Sequence, residues 1–418
     1  MMAHPLSPPT RWLCAAAIGF ALSGASAYAD MKDMKMLPAA HGAGAGACHD
    51  PALACASTVT PVFATDGTLW LAFDANGRVF VVHSADLGHS FSAPVAITPH
   101  PLQLDTGPDA RPAIAIDRQG RVFVSYAIFK DKLYNGEVFF SRSLDGGKTF
   151  SPPRPLVDNT ASQRFQVLAV DPEGRLFAAW LDKRDVAIAT RESRPYPGAA
   201  LAFSWSRDGG ASFSPSRIAH DDTCECCRIG VAFAGPGRPV VLFRNIFDLT
   251  VRDHAVITFA DPDTPGPLQR VSVDDWKIDA CPHQGPSLAI SPAGTYHAVW
   301  FTEGDARKGL FYARSTDRGR TFSTPLALGN PGHDLSRPYV AALPGAVWVA
   351  WKDFDGEEAS VMVMVSHDDG VTWSAPRAVA QTDDASDHPL LVTDGHHAYL
   401  SWMTRNEGYR LLPLDAAS

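Results

Sequence analysis

The sequence predicts an all-β chain folded as a β-propeller, with seven blades favoured and six as the alternative. Three observations predict it: a turn octapeptide that recurs five times, an apolar two-strand unit that recurs seven times, and 33 Gly and 33 Pro among 418 residues. Hydrophobic residues make up 45% and charged residues 19%, a globular balance. The length suits one large repeat domain or two ordinary ones.

The octapeptide reads Ser-x-Asp-x-Gly-x-(Ser/Thr)-aromatic. It begins at Ser84, Ser143, Ser206, Ser315 and Ser366, and places Asp86, Asp145, Asp208, Asp317 and Asp368 at its third position. Asp and Ser side chains bond to turn backbone, and Gly takes the positive φ that other residues avoid. These octapeptides are therefore read as structural hairpin turns, set away from any active face. A second pattern precedes them. Apolar strands start at Pro61, Pro112, Phe165, Ile229, Pro286, Pro338 and Pro389, and a following strand ends on Phe73, Tyr126, Trp180, Phe243, Trp300, Trp351 or Trp402. Successive starts lie 51, 53, 64, 57, 52 and 51 residues apart, room for four antiparallel strands each. The fourth unit lacks the octapeptide. The seventh ends near Leu414 after three strands, and residues 53–59 are expected to add its missing outer strand and close the ring.

Residues 1–29 read as a secretory signal peptide, with Arg11 as a short basic region, an apolar run from Trp12 to Leu22, and small-residue cleavage positions up to Ala29. Cys14 lies inside the apolar run, which argues against a lipid anchor. Residues 30–50 form a flexible segment rich in Met, His, Gly and Ala, and residues 51–418 a single propeller domain. The expected location is periplasmic or secreted, with no membrane span and a monomeric state. Cleavage removes one Arg and no acid, which takes the net charge from −9 to −10. Such an acidic chain has no electrostatic footprint for nucleic acid. Its expected partner is a small ligand, a glycan or a metal.

Residues just before each innermost strand of a propeller ring one mouth of its channel. Here they include Arg111, Arg164, Arg228, Arg337 and His388, a candidate anion-binding ring. The competing reading pairs each arginine with a carboxylate such as Asp109, Asp182 or Asp353 to tie blades together. The cysteines gather at the same level. Cys224, Cys226 and Cys227 lead into the fourth unit, and Cys281 with His283 leads into the fifth. Thiolates with imidazole suit copper(I) or zinc. Disulfides, for instance between the Cys224–Cys227 segment and Cys281, are the alternative in an oxidising compartment. Arg228, beside Cys227, is expected to lower nearby thiol pKa values. Met31, Met34 and Met36 offer an auxiliary copper(I) capture site, and Cys48 and Cys55 are close enough for a local disulfide.

The octapeptides and strand repeat resemble the sialidase superfamily of Asp-box propellers. The Cys-x-Cys-Cys and Cys-Pro-His-x-Gly-Pro segments resemble those of bacterial proteins labelled as sialidase family members. The resemblance implies the propeller fold. As an activity it implies an exo-α-sialidase-like glycoside hydrolase, which works with an arginine triad, a Tyr–Glu nucleophile pair and an Asp acid/base. Only Arg337 and Tyr339 fit such roles here. The first unit begins Val-Thr-Pro61 without the family's arginine, and no glutamate partner for Tyr339 is evident. Three functions stay open: a metal-binding propeller, a sialidase-type exo-glycosidase, and a disulfide-stapled interaction scaffold.

Overall fold

The computed structural model describes residues 53, 55–157, 159 and 161–415. The signal-peptide reading, the Met31–Met34–Met36 site and Cys48 lie outside these residues, so the proposed Cys48–Cys55 pair does too.

Seven antiparallel sheets follow one another along the chain. Their innermost strands are Ala56–Phe63, Ala113–Ile116, Gln163–Val170, Gly230–Phe233, Ser287–Ile290, Asp334–Leu343 and Leu390–Thr393. We number the blades 1 to 7 in that order. Each second strand carries the aromatic residue seen in the repeat, and all seven are at most 2% exposed. Alternation along a strand sends neighbouring side chains to opposite faces, so each sheet packs against the sheet before it and the sheet after it. Blades 1 and 2 share a core that includes Trp70, Ala72, Val122 and Val124. Corresponding clusters join each later pair. A seventh cluster sets Leu53, Val59 and Leu71 of blade 1 against Met403, Tyr409 and Leu411 of blade 7. The seven blades thus close into a ring.

Closure differs from the expectation. Residues 56–63 pair with Leu69–Ala75 as the innermost strand of blade 1, from Ala56 opposite Ala75 to Phe63 opposite Leu69, with a register shift between Ala56 and Val59. Blade 7 keeps three strands among the described residues. The apolar run before Pro61 is consumed by pairing inside blade 1, so side-chain packing, not a shared strand, joins the ends of the ring. The 64-residue spacing of the third unit also has a visible cause. A six-residue helix, Val186–Arg191, sits in the loop between the second and third strands of blade 3.

All five octapeptides form the turn after a third strand, with one bonding scheme. In blade 2, Ser143 Oγ donates to Asp145 and accepts the Gly147 N–H at 2.8 Å, while Asp145 accepts the Thr149 N–H at 3.0 Å and hydroxyl at 2.6 Å. Gly147 has φ +79°, and a Cβ there would meet the Trp70 ring of blade 1 at 2.5 Å. Glycine is needed for both the conformation and the close approach. Hydrogen bonds from Ser90, Thr321 and Thr372 lower the carboxyls of Asp86, Asp317 and Asp368 to about 2. Asp208 is lowered by the same kind of bond, chiefly from the Ser212 hydroxyl. A depressed carboxylate stabilises the fold above its unfolded pKa, and the contribution fades as pH falls through the folded value. Because the side chain is exposed, Asp208→Ala is expected to cost about 0.5–1 kcal/mol, with ligand binding unchanged. Chemical denaturation reads the first, and a variant that loses binding at full stability would contradict the structural role.

Candidate functional site

The segments that enter the innermost strands cross one mouth of the channel, and there the four arginines meet carboxylates. Arg111 binds Asp387 at 2.7 Å, and Arg164 binds Asp105 at 2.6 and 2.9 Å. Arg228 and Arg337 both bind Asp109, each at 2.8 Å, one to each carboxylate oxygen. Asp109 comes from the loop into blade 2, Arg228 from the loop into blade 4 and Arg337 from blade 6. One carboxylate, 2% exposed in its side chain, therefore ties three blades across the mouth. Arg228 also donates to the carbonyls of Pro286 and Pro338. Gly285 lets this happen: a Cβ there would come within 2.6 Å of the Arg228 backbone nitrogen.

The expected anion-binding ring is thus a set of inter-blade ties, as the competing reading held, with Asp109 among the partners but not Asp182 or Asp353. Asp182 pairs instead with Arg184, and Asp353 with His333. Four guanidiniums face three carboxylates, which leaves little charge free for an external anion. His388 is 1% exposed, and its Nε2 has no hydrogen-bond partner among the described residues. Burial, then Arg228, Arg111 and Arg337, push its pKa well below the usual imidazole value, so the ring is neutral. Tyr339 packs edge-on against it, with ring centroids 5.7 Å apart. No carboxylate among the described residues hydrogen-bonds the Tyr339 hydroxyl.

The cysteines do converge. Cys224–Cys227 forms the turn between the outer strand of blade 3, Arg217–Thr223, and the inner strand of blade 4. Cys281 and His283 lie on the adjacent crossing into blade 5. Cys224 Sγ is 3.6 Å from Cys226 Sγ and 3.9 Å from Cys227 Sγ. The ligand atoms of Cys224, Cys226 and Cys227 lie within 4.8 Å of one another, and so do those of Cys226, Cys281 and His283. No disulfide joins these four cysteines in this structure. Cys224, Cys226 and Cys227 are at most 2% exposed, while Cys281 and His283 are half-buried.

The charge beside the thiols is not the one expected. Arg228 is committed to Asp109, and Arg252, from the loop before the third strand of blade 4, donates to Cys224 Sγ at 3.2 Å. Hydrogen bonds from the Cys226 and Cys227 thiols, and then Arg252, hold the Cys224 pKa well below the usual thiol value. Burial pushes Cys226 and Cys227 up. Of the three, Cys224 is the sulfur whose thiolate form is favoured, with Arg252 beside it. Sequence reasoning passed over Arg252. The signal available was Arg252-Asp253-His254, three polar residues opening an apolar strand in the blade that lacks the octapeptide.

No family model matches the chain, and no curated protein matches it. Among solved structures it is similar to an ulvan lyase of polysaccharide lyase family PL25, with TM-score 0.55 and 10% identity over 88% of this chain and 94% of that one. The polysaccharide lyase Uly1 gives TM-score 0.54 and 8% identity over 86% and 90%. The Hadza microbial sialidase Hz136 gives TM-score 0.49 and 14% identity over 87% of this chain, which spans 66% of that sialidase. At these identities the likeness concerns the fold. Taken with the ring of seven sheets, it shows this chain to be a seven-bladed β-propeller.

Proposed function

We propose that the chain is an exported propeller that binds a soft metal ion, copper(I) before zinc, at the cysteine-lined mouth, and that it does not cleave glycosidic bonds. One observation carries this reading: three buried sulfurs stand 3.6 and 3.9 Å apart where both separations are known. Metal–sulfur bonds of about 2.3 Å in a tetrahedron set sulfurs about 3.8 Å apart, and a trigonal arrangement sets them about 4.0 Å apart. The thiols are thus spaced as ligands of one ion. Soft thiolates with imidazole favour copper(I) and zinc over hard cations. Export rests on the leader-like residues 1–29 and on nothing in the fold.

The octapeptides' resemblance to the sialidase superfamily favours a second reading, a sialidase-type exo-glycosidase with Arg337 and Tyr339 in its site. Against it, Arg337 already holds Asp109, and no carboxylate among the described residues hydrogen-bonds Tyr339 to activate it. One set of preparations tests both. Full-length protein from copper-replete cells is expected to carry copper or zinc, and the Cys226→Ser and Cys281→Ser variants are expected to carry less. None of the three should turn over a fluorogenic sialoside. Metal-free wild type with its cysteines oxidised would overturn the first reading, and turnover abolished by Tyr339→Phe would establish the second.

A further inference from the structure

Resting on that soft-metal reading, the geometry points to a two-metal cluster in which Cys226 Sγ bridges a buried ion on Cys224 and Cys227 to a second, more accessible ion on Cys281 and His283. Five donors converge, but they form two groups and not one. An ion with bonds of about 2.3 Å cannot reach donors much more than about 4.6 Å apart. The two groups share a single atom, Cys226 Sγ, and a thiolate sulfur has lone pairs enough to bind two ions. Cys226 is 1% exposed between the two groups. The second group opens toward solvent through half-buried Cys281 and His283.

The loop that carries His283 is fixed in place. His283 takes φ +48°, its carbonyl accepts from Arg337, and its ring lies against Phe165 with centroids 6.2 Å apart. Gly285 N–H donates to Asp109 at 3.3 Å. The network that closes the mouth therefore also holds the second ligand group against the first.

Charge selects a univalent metal. Metal binding by all four cysteines releases their thiol protons to solvent and leaves four thiolates. Two copper(I) ions neutralise two of these charges. The other two are met by Arg252, which donates to Cys224, and by Arg244, whose charge acts on Cys227. Arg244 is 1% exposed and donates only to the carbonyls of Arg252, Gln284 and Phe301, with its Nε unpartnered among the described residues. A buried cation without a carboxylate is costly unless some other anion compensates it. Two copper(I) ions make the assembly neutral, whereas two zinc(II) ions would leave two buried positive charges uncompensated.

The test is an anaerobic titration of the reduced full-length protein with copper(I) against a competing chelator such as bicinchoninate. Wild type is expected to take two equivalents, His283→Ala and Cys281→Ser one each, and Cys226→Ser none that survives the chelator. X-ray absorption should show metal–metal scattering in wild type that is lost in His283→Ala. Saturation of wild type at one equivalent, or two equivalents retained by His283→Ala, overturns the bridge while leaving soft-metal binding intact. No copper bound at all overturns both. His283 is half-buried, so the His283→Ala result decides the matter even if Cys226→Ser does not fold.

Discussion

Asp109→Ala is expected to destabilise the fold by about 3–5 kcal/mol, the range for breaking a buried ion pair from one side. The carboxylate is 2% exposed and holds Arg228 and Arg337 at 2.8 Å each, and it accepts the Gly285 N–H. Its removal leaves two guanidiniums that are only 12% and 19% exposed facing each other without compensation. Arg228 feels this most, because burial and Arg337 already push its pKa down, and Asp109 opposes both. Asp109→Asn keeps the shape and an acceptor but loses the charge, so it should show most of the loss. Urea unfolding of both variants beside Asp208→Ala separates this tie from an ordinary surface turn. A loss for Asp109→Ala no larger than that of Asp208→Ala would refute the tie.

The sequence carried the fold through features whose physics is local. A turn that needs Gly at positive φ and a Ser–Asp pair to bond its backbone leaves a pattern in eight consecutive residues. A second strand ending on a buried aromatic leaves another, so blade number and blade boundaries were both readable. Ring closure was not. The run from Leu53 to Val59 is apolar in either role, and only pairing of Ala56 opposite Ala75 decides between them. The site divides in the same way. Cys224, Cys226, Cys227, Cys281 and His283 were identifiable because they are chemically rare and lie on adjacent crossings. Of the arginines' partners only Asp109 was named, since Asp387 and Arg111 are 276 residues apart and nothing local encodes their contact. Arg244 and Arg252 were missed because a buried arginine and a surface arginine look alike in a sequence.

Asp387→Ala is expected to loosen the seam of the ring, again by about 3–5 kcal/mol. Among the described residues blade 7 has three strands and none borrowed from the other end of the chain, so its attachment there depends on side chains. Asp387 supplies two of the contacts, to Arg111 and Val59, and is itself held by the neighbouring backbone. Its carboxylate binds Arg111 of the blade 2 crossing at 2.7 Å, accepts the Val59 N–H of blade 1 at 3.1 Å, and accepts the His388 N–H at 2.7 Å. Burial raises its pKa despite Arg111. The sign is therefore opposite to that of the octapeptide carboxyls. As pH rises from the unfolded value through the folded one, the unfolded chain ionises first, and this group loses stability for the fold. The ionised carboxylate is held at a cost that Arg111 only partly offsets, so Asp387→Asn, which keeps an acceptor for Val59, should cost less than Asp387→Ala. Arg111→Ala combined with Asp387→Ala should cost less than the sum of the single changes, with a coupling of about 0.5–3 kcal/mol. Urea unfolding of the three variants, each followed by tryptophan fluorescence and circular dichroism, checks the cycle. Strict additivity, or an Asp387→Ala protein as stable as wild type, would show that the apolar cluster of Leu53, Val59, Met403 and Leu411 closes the ring without help from this carboxylate.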